Sequence, residues 1–285
     1  MKPAPFEYHS PRNVDDAVKI LGEVASQDGR ILAGGQSLVP TMAYRMATPA
    51  HLVDINKVEG AALVEADGSH LSIGCVARHA AFEEPVIENP LGRLLSAVCH
   101  HIAHYPIRRR GTFCGSLAHA DPASEWCLVA ATLGAEIEAR SVRGTRTIAA
   151  ADYFEGIMTT ALAEDELLVR ARLPLLKENE RFGFFEFSRR AGDFGLTMVL
   201  AVYELENGKI VNPRMGLGGV EDRPARNQAA EHILAGSSVS ETVFAAAAEA
   251  AAAAVEPMED IHAPASYRRH LVRNGMISAL RQTVR

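Results

Sequence analysis

No G-x-G-x-x-G turn and no Gly-Lys-Ser or Gly-Lys-Thr triplet occurs in this 285-residue chain, which excludes the two commonest glycine-loop routes to a bound nucleotide. Its four cysteines, Cys75, Cys99, Cys114 and Cys127, contain no C-x-x-C pair, so zinc-ribbon and ferredoxin-type ligation are excluded as well. Positive charge is in deficit. Lys and Arg number 29 against 35 Asp and Glu, the net charge is −6, and the one basic run is Arg108-Arg109-Arg110, a balance that does not suit a nucleic-acid partner. No stretch reaches the roughly 18 apolar residues of a membrane span, because the most apolar segment, Ala245 to Val255, is mostly alanine interrupted by Glu249 and reads as a packed helix. The opening residues, Met1 to Glu7, lack the charged-then-apolar order of an export signal, so reduced thiols and a cytoplasmic location are expected.

What is present suits a soluble protein of two domains, with 48% hydrophobic and 22% charged residues. Asn13 before Val14-Asp15-Asp16-Ala17 predicts a capped amphipathic helix, followed by a strand over Arg30 to Ala33, a short helix over Pro40 to Arg45 and a strand over Leu52 to Ile55. From about Leu63 hairpins enter, at Asp67-Gly68 and between Glu136 and Ile148, with a largely helical stretch over Phe82 to Tyr105 broken at Asn89-Pro90 and a buried helix over Asp121 to Leu133. Leu167 to Pro174 alternates as a strand, and the charged run Lys177 to Arg181 reads as a domain joint. Beyond it an antiparallel meander is expected over Phe182 to Arg189, Leu196 to Leu205 and Ile210 to Val220, then helices from about Ser240 and from Ser266 to Arg281.

Two glycine turns carry the chemistry. Ile31-Leu32-Ala33 breaks into Gly34-Gly35 and then Gln36-Ser37-Leu38, as a strand ending in a bend whose successive N–H groups converge at no Cβ penalty. A second turn, Gly111-Thr112-Phe113-Cys114-Gly115-Ser116, follows about 80 residues later. Two such concavities suit a diphosphate held from both sides, although a glycine pair alone is also an ordinary tight turn.

These turns, with Leu52 to Asn56, the run Ile107 to Glu125, Glu166-Leu167-Leu168, Ser188 to Phe194 and Gly216 to Val220, resemble in order the FAD-binding medium subunit of molybdenum hydroxylases, the xanthine dehydrogenase and carbon monoxide dehydrogenase family. The resemblance implies an α+β fold. An FAD-binding PCMH-type (vanillyl-alcohol-oxidase-like) domain of two α/β subdomains, residues 1–176 divided near 58, would precede a C-terminal domain of the CO dehydrogenase flavoprotein type, residues 177–285, with a small antiparallel sheet and helices. It implies non-covalent FAD held by Ala33, Gly34, Gly35, Gln36, Ser37 and Leu38 and by Thr112, Phe113, Cys114, Gly115 and Ser116, with Glu125 accepting from sugar or ribityl hydroxyls and Ile102 and Leu168 packing on the rings. No catalytic residue and no metal ligand of this chain is implied. The molybdopterin cofactor and two [2Fe-2S] clusters are expected in a large and a small partner subunit, in a heterotrimer or its dimer.

Three departures accompany the likeness: Phe113-Cys114 where a small aliphatic residue and a glycine are usual, Gln36 in place of a frequent histidine, and Phe187 where a lysine near the flavin is common, which implies a lower flavin potential. Other readings stay open. Cys114 at an anion-attracting turn could be a reactive thiol or a small space-filling residue. His100 and His104, spaced i, i+4, with His101, His119 and Asp121, could bind a metal or lie on a surface face. The whole could also be a stand-alone flavin oxidase or a nucleotide-binding scaffold.

Overall fold

Helix α1 (Val14–Val24) begins where the sequence places it: the Asn13 side chain accepts from Asp16 N at 2.8 Å, and Asp15 and Asp16 sit in the first turn, where the helix dipole favours negative charge. Ala17, Val18, Leu21 and Val24 make its buried face. The structure, a computed structural model, describes residues 2–284, so Met1 and Arg285 at the expected domain limits lie outside the described residues. Around α1 run β1 (Glu7–His9) and β2 (Gly29–Leu32), and after the short helix α2 (Leu38–Ala43) comes β3 (His51–Asp54). β3 enters between the other two, giving the order β1-β3-β2 with both pairings parallel, as strands joined through helices must be.

The second unit is built on an antiparallel sheet of order β4-β5-β10-β6-β7, from β4 (Val64–Asp67), β5 (His70–Gly74), β6 (Glu136–Ser141), β7 (Gly144–Ala149) and β10 (Leu167–Pro174). Between β5 and β6 the chain forms α3 (Pro90–Cys99), α4 (Tyr105–Arg108), α5 (Phe113–His119) and α6 (Glu125–Leu133). Between β7 and β10 it adds α7 (Ala150–Tyr153) and the small pair β8 (Phe154–Gly156) and β9 (Thr159–Thr160). The break expected at Asn89-Pro90 is the start of α3, but the helix expected before it is absent, since His79–Phe82 is a 3-10 turn and the chain from there to Asn89 is irregular. Asn89 caps α3, its side chain accepting from Leu91 N, and Pro90 occupies its first position.

The third unit is an antiparallel sheet β11 (Glu180–Phe187), β12 (Thr197–Glu206), β13 (Lys209–Gly218) and β14 (Ala225–Arg226), with α8 (Gln228–Leu234), α9 (Glu241–Ala254) and α10 (Ala265–Gln282). β12 is buried on both faces. Met198, Leu200 and Val202 join the core of the second unit, whereas Val199, Ala201 and Tyr203 join a separate core under α9 and α10. Helix α6 is apolar almost all round because it is covered by β10 on one side and by β12 and β13 on another. The approach is close at Gly216, where a Cβ would lie 1.8 Å from Thr132 Oγ1. The charged run expected as a joint is fastened down: Glu180 is buried and ion-paired with Arg214, and Lys177 Nζ meets the Glu204 carboxylate at 2.9 Å.

Candidate functional site

The first glycine turn leaves the end of β2 and runs into α2, so Ala33 to Leu38 form a half-buried bend in the gap between the first and second units. Gln36 does not reach outward. Its Nε2 donates to Gly34 O at 3.1 Å and braces the bend from within. The second turn is the start of α5. Thr112 is its N-cap, accepting from Gly115 N at 3.1 Å, and the chain before it is held by the segment Ala77 to His79, through Phe113 N to Ala77 O at 2.9 Å and His79 N to Gly111 O at 3.0 Å.

The two turns touch. A Cβ on Gly34 would lie 2.4 Å from Arg110 O and 2.7 Å from Gly111 Cα, so only glycine permits this approach of one main chain to the other. Polar side chains fix the contact. Asn56 donates from Nδ2 to Ala33 O at 2.7 Å, while Arg78 donates to Asn56 Oδ1 at 2.6 Å and, with its other nitrogen, to Arg110 O. One bend is thus tied to the other through two side chains, and the Arg78 guanidinium, its pKa lowered by burial and by Arg110, brings positive charge beside both. Two glycine bends in main-chain contact with a guanidinium beside them have the chemistry that suits an anion of phosphate type.

Phe113 and Cys114 contribute main chain only. Phe113 is fully buried against Trp126 and Phe82, at ring separations of 4.9 and 5.7 Å, so its side chain packs in an aromatic cluster under the turn. Cys114 is buried with its Sγ on Ile73 O, and burial raises its thiol well above the ordinary value, which removes the reactive-thiol reading. Ile102 and Leu168 are 7% and 4% exposed and sit in the main core, Leu168 on β10 beside a bulge against β6. They carry core packing whatever else they touch.

Glu125 opens α6 and is buried, and that burial, with Asp121 nearby, pushes its pKa up to about 7. Beside it stands a residue the sequence reading missed. Glu186 on β11 is pushed up to about 8 by burial and by the neighbouring Glu125, its Oε2 has no hydrogen-bond partner among the described residues, and His101 Nδ1 is 3.8 Å away. An orphaned buried carboxylate oxygen of this kind is a place for a hydroxyl or N–H donor of a ligand. The expected flavin neighbour, Phe187, is the next residue along the strand and therefore faces the opposite way, toward Leu196, Ala263 and Leu271 near α10.

Asn56 and Arg78 were also missed, since an Asn in a loop and a single Arg announce nothing until the pairing of Ala77–His79 with Gly111–Phe113 brings them under both bends. The histidine grouping is not formed: α3 ends at Cys99, so His100 and His104 share no helix face, and His101 turns toward Glu186 and Phe184.

Comparison with known proteins agrees with this geometry. Residues 4–176 match the family described as the FAD binding domain in molybdopterin dehydrogenase, and residues 183–283 match the CO dehydrogenase flavoprotein C-terminal domain. The nicotine 6-hydroxylase medium subunit of Paenarthrobacter nicotinovorans is 39% identical over 273 residues, covering 95% of each chain. Among solved structures, carbon monoxide dehydrogenase from Hydrogenophaga pseudoflava superposes with a TM-score of 0.95 at 32% identity over 100% of this chain and 99% of its counterpart. Quinoline 2-oxidoreductase from Pseudomonas putida 86 gives 0.92 at 33% identity, over 99% and 98%. Extending over both matched domains at these identities, the likeness settles the family: the chain is an FAD-binding medium subunit of the molybdenum hydroxylases, the xanthine dehydrogenase and carbon monoxide dehydrogenase family.

Proposed function

We propose that the chain holds FAD across its two glycine bends and serves as the electron-exit subunit of a molybdenum hydroxylase. The observation that carries this reading is the contact of Gly34 with Arg110 and Gly111, which makes two bends distant in sequence into one anion cradle. The amides of the first bend, Ala33 to Leu38, would take the diphosphate from one side and those of Thr112 and Cys114 from the other, because Phe113 N, Gly115 N and Ser116 N already donate within the protein. Glu125 would take the sugar or ribityl hydroxyls, and Ile102 and Leu168 the edges of the rings. Arg78 neutralises part of the phosphate charge and keeps the bends in register. Bound FAD would accept electrons from two [2Fe-2S] clusters of a small subunit, after hydroxylation at a molybdopterin centre in a large subunit, and release them to an external acceptor. Burial raises both carboxyls, so that near neutral pH Glu186 is held mostly neutral and Glu125 in part. The complex is a heterotrimer or its dimer, placed in the cytoplasm; no helix among the described residues is long and apolar enough to cross a membrane.

The test is reconstitution. The chain purified alone should be yellow with one FAD and should not bleach with hydroxylase substrates, whereas the assembled three-subunit complex should bleach with substrate. Bleaching by the chain alone would establish a stand-alone flavoenzyme instead. Protein that stays colourless after incubation with FAD would establish a scaffold.

A further inference from the structure

β1 is three residues long, polar, and lies at the edge of its sheet, pairing in parallel with β3 in the register Glu7↔His51 and His9↔Val53. Residues two apart on a strand share a face, and His51 lies directly across from Glu7, so Glu7, His9 and His51 gather on one side. His9 Nε2 and His51 Nδ1 are 3.2 Å apart. The Glu7 carboxylate spans both rings, with Oε1 3.9 Å from His9 Nε2 and Oε2 3.6 Å from His51 Nδ1.

The geometry points to a divalent transition-metal site formed by Glu7, His9 and His51, separate from the glycine bends and independent of what they bind. Ligands on a tetrahedral ion with bonds of about 2.0–2.2 Å stand roughly 3.3–3.6 Å from one another. The two ring nitrogens, 3.2 Å apart, stand close to that spacing, and the Glu7 carboxylate offers Oε1 to one ring at 3.9 Å and Oε2 to the other at 3.6 Å. Turning this exposed side chain brings a single oxygen to both, all three ligand atoms already lying within 4.8 Å of one another. Two imidazoles and a carboxylate select zinc-like ions over calcium or magnesium, which take oxygen sets. The imidazole side chains are 20% and 15% exposed, so their orientations are set by packing, while Glu7 at 68% leaves the remaining positions to water and an open path for entry. Without an ion the two ring nitrogens share one hydrogen bond. With one, the ion takes the inner nitrogen of each ring, leaving the outer nitrogens, His9 Nδ1 and His51 Nε2, to carry the ring N–H. The ion would join the edge strand to the centre of its sheet by side chains as well as by main-chain hydrogen bonds.

Full-length, FAD-loaded protein freed of metal with a chelator is dialysed against zinc chloride and its zinc counted by elemental analysis. One zinc per chain is expected. Glu7→Gln, His9→Gln and His51→Gln should each bind at least about tenfold more weakly, since even the outer partners of metal ligands are worth that much. Exposed Glu7 makes Glu7→Gln a change the fold tolerates, and His100→Gln should bind as the parent does. Zinc should also slow amide exchange across β1 in the parent and not in Glu7→Gln. Absence of zinc uptake by the parent, or affinity equal to the parent's in the three variants, would overturn the assignment.

Discussion

A carboxylate taken out of water without a partner is held in its neutral form, and Glu186 is in that position, with Glu125 beside it. The sign of the resulting pH dependence follows. Because the folded-state pKa of Glu186, about 8, exceeds the ordinary 4.5, the folded protein binds more protons between those values; its stability is complete below the lower one and declines as pH rises toward the higher. FAD-free Glu186→Gln should therefore match the parent near pH 4.5 and exceed it by pH 8, by on the order of 3 kcal/mol in denaturant unfolding. A constant difference across that range would mean that Glu186 is not held neutral. Arg78 makes the opposite kind of contribution, since it is the link between bends. Arg78→Ala should weaken FAD binding about tenfold or more, the worth of a charged hydrogen bond, with Arg78→Lys between, read by flavin fluorescence titration.

Among the elements, what binds is the geometry of two bends, and glycine is the residue that allows it. Gly34→Ala drives a methyl into Arg110 O and Gly111 Cα, both main-chain atoms that cannot swing aside, so one bend must shift. Loss of FAD affinity by about a hundredfold with unchanged far-ultraviolet circular dichroism is expected; retention of full affinity would show that the bends do not meet at that point. Much of this element structure is legible in the sequence. The Asn13 and Ser240 caps, the alternation in Leu167 to Pro174 and the Glu206-Asn207-Gly208 turn all announce themselves through local rules. β1 does not, because Glu7-Tyr8-His9 has no apolar alternation and is a strand only through its pairing with β3. The break at Asn89-Pro90 is legible, whereas the irregular chain between Phe82 and Asn89 is not, because Glu83 there is claimed by a distant partner, Arg108. The bends themselves are readable, whereas the residues that tie them are not, since Asn56 and Arg78 act across 22 positions of chain.

For the whole molecule, the sheet of the third unit is a structural part of the second. Phe184, Met198, Leu200 and Val202 belong to the same buried cluster as Leu71, Phe113 and Trp126, and α6 lies between the two sheets. Gly216→Val should thus loosen both units together, costing about 3 kcal/mol or more in a single cooperative transition, because its side chain would occupy the space of Thr132 and Leu128. Two separate transitions would show that the units unfold independently. This arrangement also explains why Glu186, from the third unit, stands beside Glu125 from the second, a neighbourhood no sequence spacing could announce.

The central claim is that main-chain amides of two bends grip a diphosphate, and competition measures it most directly. FAD-loaded protein is titrated separately with ADP and with adenosine while release of flavin is followed by its fluorescence. ADP should displace FAD at concentrations where adenosine does not; equal potency of the two, or no displacement by ADP, would contradict the account.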